Sequence, residues 1–380
     1  MRRINYLQLI CAIVFIFNTS CTKDNSAPEP SAPKEPTSAF TKYNNTKDSL
    51  FTVNSIVQLS DSSYAIAGGI RYDGSFDRNV LIKLNKFGKR EWMSIMKNTS
   101  TPRGIEELFA DVNGYVGIRT QSFGNESGRA PHMVKFSSTG EVLSEVSIDT
   151  DFVGLDIIKD NNNFVIAGRG NSDMLFRKIG MNGEKQWDQT FWNYPSACSI
   201  SKLNDGNYIA IGGWFYSGND EYLIKLNAGG KKLWSKLYKG IKVVALPDNG
   251  FLAVTGRAGV STAPKLVRFD EHGNELWNKT LDQLWPISEL KAINVMNYDM
   301  KHFICTYFDQ IGNVTIMVLD ANGNEVKRLT KGSVYSAAYA QRSFVTIKTL
   351  DNGIFIALAG VSNNLEFFLD FIKVSPKSIF

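Results

Sequence analysis

The chain has 380 residues, 43% of them hydrophobic and 12% aromatic, which is enough apolar surface for a packed core. Its 42 basic and 37 acidic residues give a net charge of +5 without a long run of Lys or Arg, which excludes the basic tract typical of nucleic-acid-binding proteins. This length suits either two domains or one large repeat domain.

Residues 1–20 have the organisation of a bacterial secretory signal. Two arginines precede an apolar stretch, Tyr6–Phe17, that is too short to span a bilayer comfortably. The small residues before Cys21 resemble a lipobox, the motif whose cysteine is acylated and becomes the mature N-terminus, although Asn18 stands where leucine is usual. We therefore predict a lipoprotein signal peptide with lipidation at Cys21. The alternative is an ordinary secretory signal with a coincidental cysteine.

Residues 21–38 are predicted to form a flexible tether. The segment Thr22–Pro36 (TKDNSAPEPSAPKEP) is rich in Pro, Ser, Ala and charged residues and has little that could pack. Lys23 and Asp24 resemble the short charged signals that send some Gram-negative lipoproteins to the outer cell surface. We expect a cell-envelope, outer-membrane lipoprotein that contacts the membrane through its lipid anchor and faces the periplasm or the cell surface.

From residue 39 onwards one unit recurs, which consists of an apolar strand, a basic residue, a glycine turn and a tryptophan. The clearest copies are LIKLNKFGKREW, LFRKIGMNGEKQW, YLIKLNAGGKKLW and KLVRFDEHGNELW. The turn glycines, which are 43 to 52 residues apart, are Gly88, Gly140, Gly183, Gly230, Gly273 and Gly323. This period is that of β-propeller blades.

A hairpin signature precedes each unit, in which an alternating strand leads to a turn rich in Asp, Asn and Gly and then to a strand that begins with an aromatic residue. These hairpins lie at Asp61, Asp111, Asp160, Asp205, Asp248, near Asn297, and at Asp351. Each unit is thus four strands, named a to d from the inside out. The sequence predicts an all-β, monomeric propeller of seven four-stranded antiparallel blades over residues 39–380.

The last unit contains a strand c, in FLDFIKVSPKSIF, but nothing that resembles a strand d. Ala39–Lys47 (AFTKYNNTK) resembles the d segments WSKLYK and WNKTLD, and it stands ahead of the first hairpin. We predict that this N-terminal strand completes the last blade and closes the ring, because closure removes an exposed sheet edge.

Four tryptophans each stand four residues after a turn glycine and are predicted to be structural, wedged between neighbouring blades. They are Trp92, Trp187, Trp234 and Trp277. The pattern resembles the tryptophan-docking motif of quinoprotein (PQQ)-like propeller repeats and covers most of residues 50–380. That group includes cofactor-bearing alcohol dehydrogenases and cofactor-free lipoprotein scaffolds of the outer membrane. The adjacent cysteine pair and the calcium ligands of the enzymes are not recognisable here, so the resemblance implies the fold and not dehydrogenase activity.

Catalytic motifs do not occur in the sequence. His132, His272 and His302 fall in three different units, and the acidic turn residues are explained by hydrogen bonds to their own turns. Cys198 and Cys305 lie in apolar β-like runs and are predicted to be buried free thiols. We therefore expect no catalytic residue, no metal and no cofactor.

The d–a and b–c connections of a propeller share one face, and here they are rich in aromatic residues and arginines. The candidate ligand-binding residues are Arg71, Tyr72, Arg169, Trp192, Tyr194, Trp214, Tyr216, Arg257 and Trp285. The b–c links also carry Phe76, Phe215, Tyr307 and Phe308. Four arginines end a strand b, namely Arg71, Arg119, Arg169 and Arg257. They either ring the mouth of the central channel and favour an anionic ligand, or they are solvated strand ends.

Aromatic side chains with polar neighbours suit glycan or protein surfaces. The alternative is that they cover the blade ends without binding a ligand. We expect a non-catalytic, membrane-anchored lipoprotein whose propeller is a binding or scaffold module for a protein partner or a glycan. The other classes considered are a quinone-linked dehydrogenase, an enzyme acting on polysaccharide, and an assembly subunit whose partner adds a strand to a blade edge.

Overall fold

The computed structural model describes most of the chain from residue 41 onwards. The described residues are 41–46, 50–72, 75–96, 105–119, 131–148, 152–170, 173–192, 197–212, 222–238, 240–255, 264–281, 293–308, 313–331, 342–361 and 367–380. The predicted signal peptide, Cys21 and the predicted tether lie outside them.

The first strand is β1 (Thr41–Thr46), and the next three blades follow it in chain order. Blade 1 contains β2 (Leu50–Gln58), β3 (Tyr64–Tyr72), β4 (Ser75–Leu84) and β5 (Arg90–Ile95). Blade 2 contains β6 (Ile105–Asp111), β7 (Gly114–Arg119), β8 (His132–Ser137) and β9 (Val142–Ser147). Blade 3 contains β10 (Phe152–Asp160), β11 (Asn163–Gly170), β12 (Asp173–Gly180) and β13 (Lys185–Phe191).

The remaining blades repeat this order. Blade 4 contains β14 (Ala197–Lys202), β15 (Tyr208–Gly212), β16 (Tyr222–Leu226) and β17 (Lys232–Leu237). Blade 5 contains β18 (Lys242–Ala245), β19 (Phe251–Thr255), β20 (Lys265–Phe269) and β21 (Glu275–Thr280). Blade 6 contains β22 (Ile293–Asn297), β23 (His302–Phe308), β24 (Val314–Asp320) and β25 (Glu325–Lys331). Blade 7 contains β26 (Arg342–Lys348), β27 (Ile354–Val361), β28 (Phe367–Val374) and β1.

Seven separate four-stranded antiparallel sheets therefore confirm the predicted all-β, seven-bladed propeller. In blade 7, β1 pairs antiparallel with β28, with Thr41 opposite Lys373 and Thr46 opposite Leu369. Blade 7 also packs against blade 1, where the rings of Tyr64 and Phe355 stack with centroids 4.1 Å apart. The chain ends in a single helical turn, α1 (Pro376–Ile379), and no helix in the described part of the chain has the length and apolar character needed to cross a bilayer.

The c–d turns form because a side chain at the end of strand c caps the following backbone. Asn85 Oδ1 accepts hydrogen bonds from the backbone N–H groups of Phe87 and Lys89, both at 3.0 Å. Asp270 and Asp320 act in the same way in blades 5 and 6. These local Asx bonds explain why the turn sequence recurs so regularly.

The repeated acidic and basic residues form ion pairs within blades. The carboxylate in the a–b turn meets the basic side chain of strand c in blades 1, 3, 4, 5 and 7. The pairs are Asp61–Lys83, Asp160–Lys178, Asp205–Lys225, Asp248–Arg268 and Asp351–Lys373. The turn carboxylates of Asp61 and Asp248 also accept their own turn N–H groups, as predicted from the sequence.

The four predicted structural tryptophans lie between blades. The indole of Trp187, on blade 3, lies on the c–d turn of blade 4, where a Cβ on Gly230 would be 2.7 Å from the ring. Trp234 and Trp277 lie in the same way on Gly273 and Gly323, each within 2.8 Å of such a Cβ. Trp92 likewise covers the turn of blade 2.

Each of these indoles also meets the aromatic residue that begins strand b of the next blade. The ring centroids are 6.3 to 6.4 Å apart in the pairs Trp92–Tyr115, Trp187–Tyr208, Trp234–Phe251 and Trp277–Phe303. The glycine and the aromatic residue of one blade thus form a socket for the tryptophan of the preceding blade.

Candidate functional site

The predicted binding face is the end of the propeller at which the b–c and d–a connections emerge, here called the upper face. Blade 3 shows this end most fully: β11 ends at Gly170, β12 begins at Asp173, and β13 ends at Phe191. The a–b and c–d turns, with the ion pairs and the tryptophan sockets, lie at the opposite end.

Trp192 projects from the upper face of blade 3. Its side chain is 71% exposed, whereas the preceding Phe191 is 8% exposed and packs edge-on against Phe176 with ring centroids 5.9 Å apart. The buried phenylalanine therefore fixes the backbone, and the next residue presents its indole to solvent. A large exposed apolar ring on a rigid strand end is a feature typical of binding surfaces.

Arg169 lies at the same end of blade 3. Arg169 on β11 pairs with Met174 on β12, and Met174 pairs in turn with Phe191 on β13. Strand β12 therefore lies between Arg169 and Phe191. Two strand spacings place the Arg169 backbone roughly 10 Å from that of Phe191. The structure thus brings two of the predicted residues, Arg169 and Trp192, to one blade end.

The other predicted residues are described less fully. Arg71 and Tyr72 end β3 at the upper face of blade 1, as predicted, while their side chains lie outside the description. Outside the described residues lie Tyr194, Trp214, Tyr216, Arg257 and Trp285. That these residues lie close to Trp192 therefore stays a prediction.

Arg119 at the end of β7 does not ring the channel mouth. It is buried, and its guanidinium pairs with Glu145 on the outermost strand of the same blade. Glu145 Oε1 also lies 3.0 Å from His132 Nδ1. Burial, followed by the charge of Arg119, lowers the pKa of His132 below its usual value, and Glu145 opposes this shift. The buried Arg119 and the half-buried His132 thus hold Glu145 of strand d.

Tyr307 and Phe308 of blade 6 also belong to the packing of the protein. Tyr307 is 3% exposed, and Phe308 lies edge-on to Phe344 with ring centroids 5.0 Å apart. Both residues continue strand β23, whereas the sequence placed them in a b–c link. Cys305 on the same strand is fully buried, and burial raises the pKa of its thiol to about 12, so it is inert at neutral pH.

Hydrogen bonds that no sequence pattern indicates join the innermost strands of neighbouring blades. Ser55 donates to Glu107 at 2.9 Å and accepts the N–H of Leu108 at 3.0 Å. Ser199 donates to Asp156 at 2.7 Å, and its hydroxyl accepts the N–H of Val243 at 3.2 Å. These bonds place hydroxyl and carboxylate groups around the axis of blades 1 to 5.

A cavity of about 350 Å³ lies between blades 5 and 6. Its walls include Lys279, Tyr307, Met317, Glu325 and Arg328. Glu325 accepts two hydrogen bonds from Arg328, at 2.8 and 2.6 Å, so these two charges compensate each other. Arg169 and Trp192, the two predicted ligand-binding residues whose side chains the structure describes, do not line it. Within the described ranges, no group of three or more His, Cys, Asp and Glu side chains is arranged to hold a metal ion.

No family model and no curated protein matches the sequence significantly. Solved structures resemble it in fold. The chain is similar to the WD40 domain of Neurospora crassa Pan2, with 12% identity, a TM-score of 0.57 and coverage of 89% of this chain and 95% of that one. It is similar to the BP39L lectin from Burkholderia pseudomallei, with 9% identity, a TM-score of 0.57 and coverage of 84% and 98%.

A third similar structure is a putative 6-phosphogluconolactonase from Bacteroides fragilis, with 12% identity, a TM-score of 0.54 and coverage of 84% of this chain and 98% of that one. At such identities the likeness shows the fold alone. The comparisons and the seven sheets agree that residues 41–380 form a β-propeller.

Proposed function

We propose that this protein is a non-catalytic binding module whose upper face contacts a protein partner or a glycan. The exposed indole of Trp192 carries the proposal, because 71% of it is open to solvent while the residue before it is anchored in the core. An indole offers a large contact area at low entropic cost, since only two side-chain torsions are fixed on binding. The same ring stacks on the apolar face of a sugar or fills a pocket on a protein.

Arg169 supplies a polar and cationic group on the same blade end, about two strands from Trp192. Tryptophan and arginine are both enriched in interface hot spots. One protein of similar fold is named a lectin, so the propeller architecture is compatible with glycan binding. The resemblance of the repeat to quinoprotein-like propellers favours a role like that of the cofactor-free envelope scaffolds in that group.

Replacing Trp192 by alanine is expected to weaken ligand binding at least about tenfold, because the ring is the largest exposed apolar group described on this face. A glycan array and a pull-down from solubilised envelope, each with wild type and Trp192→Ala, measure this. Phe87→Ala is the control, since Phe87 is 56% exposed but lies in a c–d turn on the opposite face. Equal binding by wild type and Trp192→Ala would remove the upper face of blade 3 from the proposal.

We further propose that Cys21 anchors the protein in the outer membrane. Cys21→Ser is expected to move the protein from the membrane to the soluble fraction and to abolish labelling by a palmitate analogue, because the acylated cysteine is the attachment point. Cys11→Ser is the control, since that cysteine lies within the predicted signal peptide. Membrane retention of the Cys21→Ser protein would contradict the anchor.

The dehydrogenase alternative has a direct test. Addition of calcium and pyrroloquinoline quinone is expected to leave the thermal midpoint unchanged and to produce no dye-linked activity, because the binding module uses no cofactor. A rise in the thermal midpoint together with dye-linked activity would contradict the binding-module proposal and favour the dehydrogenase.

A further inference from the structure

The seam between blades 2 and 3 has no indole in the position that tryptophan occupies in four other seams. Ser144 stands there, because it pairs with Lys135 across β8 and β9 just as Trp187 pairs with Lys178 across β12 and β13. A cavity of about 100 Å³ takes the place of the ring. The residues that line it are Met133, Lys135, Ser144, Val146 and Asn182.

The turn of this socket has the backbone of the filled seams, while its aromatic residue, Phe164, packs against Phe109 of blade 2 with ring centroids 5.0 Å apart. The turn glycine of blade 3, Gly183, has a φ of 85°, close to the 82° of Gly230 under Trp187. A Cβ on Gly183 would lie 3.2 Å from Val146 and 3.3 Å from Met133, whereas the same atom on Gly230 would lie 2.7 Å from an indole. Two aliphatic side chains therefore approach the turn without replacing the ring.

The seam between blades 6 and 7 shows how the chain itself closes such a gap. Lys327 stands at the tryptophan position of blade 6, opposite Val318. There the C-terminal turn buries Ile379 completely among residues of both blades, including Val318 and Ile354. Within the described part of the chain, nothing equivalent covers the cavity at Ser144.

The strand beside the cavity is unusually exposed. All six residues of β9 are exposed, and Val142, Leu143 and Val146 are 45%, 61% and 40% exposed. β9 is the outermost strand of its blade, so one side of its backbone faces away from the sheet. An extended segment of another polypeptide can add to such an edge, with side chains entering adjacent pockets.

We propose that this cavity binds an aromatic side chain, preferably indole, from a partner polypeptide that lies extended along β9. The protein itself shows which group fits, since the equivalent space in four seams holds an indole. Met133 offers a thioether to the ring, and Lys135, whose ammonium group donates to Asn182 Oδ1 at 2.9 Å, lies opposite Ser144 across the strand pair. The site is on the rim and does not involve Trp192.

An indole in this position has a hydrogen-bond partner by analogy with blade 5. Trp277 Nε1 donates to the carbonyl of Ala321, two residues before the turn glycine of the next blade, at 3.0 Å. The corresponding residue before Gly183 is Met181. A ring in this position would share the hydrogen bond of Trp277 and would contact Met133 and Val146, which lie beside Gly183.

The test uses N-acetyl-tryptophanamide and protein labelled with ¹³C at the methionine methyl groups. Saturable movement of the Met133 methyl signal is expected, with a Kd on the order of 1 mM for a single ring, while the signal of Met174, which lines neither cavity, stays in place. Ser144→Trp should remove this response and raise the thermal midpoint, since its own indole fills the cavity. Lys327→Trp, at another blade that lacks the tryptophan, should leave the response unchanged.

A peptide with the sequence of β17, Lys232–Leu237 (KLWSKL), tests the polypeptide part of the proposal. It is expected to bind about tenfold more tightly than N-acetyl-tryptophanamide, and the version with alanine in place of Trp234 should not bind. Equal affinities of peptide and single ring would overturn strand docking along β9. An unmoved Met133 signal in folded wild type, or an undiminished response in Ser144→Trp, would overturn the site altogether.

Discussion

Replacement of Trp187 by alanine is expected to lower the free energy of unfolding by about 3 kcal/mol, the lower end of the range for such truncations because the indole is only half-buried. The ring joins two blades, since it belongs to blade 3 but packs on Gly230 and Tyr208 of blade 4. Its loss removes the contact that strand β13 makes with the c–d turn of blade 4. Chemical denaturation followed by circular dichroism measures the change.

Trp192→Ala is the matched control, because it removes the same ring from a position that is 71% exposed. That substitution should change stability by no more than about 0.5 kcal/mol. If the two alanine variants were equally stable, the indole of Trp187 would not be holding the seam.

The glycine beneath the ring gives a second readout of the same contact. Gly230 and Gly206 have nearly equal φ values, 82° and 83°, but an added Cβ meets the Trp187 ring at Gly230 and nothing within 4 Å at Gly206. Gly206→Ala should therefore lower the free energy of unfolding by about 1 kcal/mol, because alanine is disfavoured in the left-handed conformation. Gly230→Ala should lower it distinctly more, because the added Cβ also meets the indole. In a Trp187→Ala background the excess should vanish, a coupling that a double-mutant cycle measures.

The blade count could be predicted from the sequence because its determinants are local. The a–b and c–d turns are set by Asx and glycine residues within a few positions, and the strands between them alternate with the pleat. Seven copies of such a unit at a regular spacing leave few other folds. The predicted d-like segment ahead of blade 1 is the strand that pairs with β28 in the structure.

Polar contacts between blades were beyond the sequence because they join residues far apart in the chain. Asp160 was interpreted as a residue that caps its own turn, yet its carboxylate is buried and meets Lys202 and Tyr208 of the next blade. The Ser55–Glu107 and Ser199–Asp156 bonds are of the same kind. No periodic pattern distinguishes these polar residues from those that face solvent.

In the candidate site, too, the position of a residue along a strand could be predicted from the sequence, whereas its burial could not. The sequence placed Trp192 in a d–a connection, and only the packing of its neighbour Phe191 against Phe176 decides that Phe191 is buried and Trp192 exposed. Tyr307 and Phe308 looked equivalent to Trp192 from their position after an apolar run, but strand β23 extends through them into the core. Aromatic composition alone therefore does not distinguish a ligand contact from a packing residue.

Replacing Asp160 by asparagine is expected to destabilise the protein by about 3 kcal/mol at neutral pH, because it breaks a buried ionic cluster. One carboxylate oxygen accepts from Lys178 Nζ at 2.5 Å and from the Tyr208 hydroxyl at 2.7 Å, and the other pairs with Lys202. Lys178 belongs to blade 3, whereas Lys202 and Tyr208 belong to blade 4. The substitution keeps the shape but leaves the lysine charges uncompensated at the seam.

Asp248→Asn is the control, since Asp248 occupies the same turn position in blade 5 and pairs with Arg268, but its side chain is 56% exposed. An exposed pair of this kind contributes at most about 1 kcal/mol. Equal losses for Asp160→Asn and Asp248→Asn would mean that burial of the Asp160 cluster has no energetic consequence.

The contribution of Asp160 should also depend on pH in a defined direction. Burial alone would raise its pKa, but the hydrogen bonds from Lys178, Lys202 and Tyr208 outweigh burial and lower the pKa to about 2. The unfolded chain has an aspartate pKa of about 3.9, so protons bind the unfolded state first as the pH falls. The carboxylate therefore stabilises the fold by about 2 kcal/mol above pH ~4, and this part is lost between about pH 4 and pH 2. The stability difference between wild type and Asp160→Asn should shrink over that interval, and a constant difference down to pH 2 would show that the carboxylate is not held ionised by the cluster.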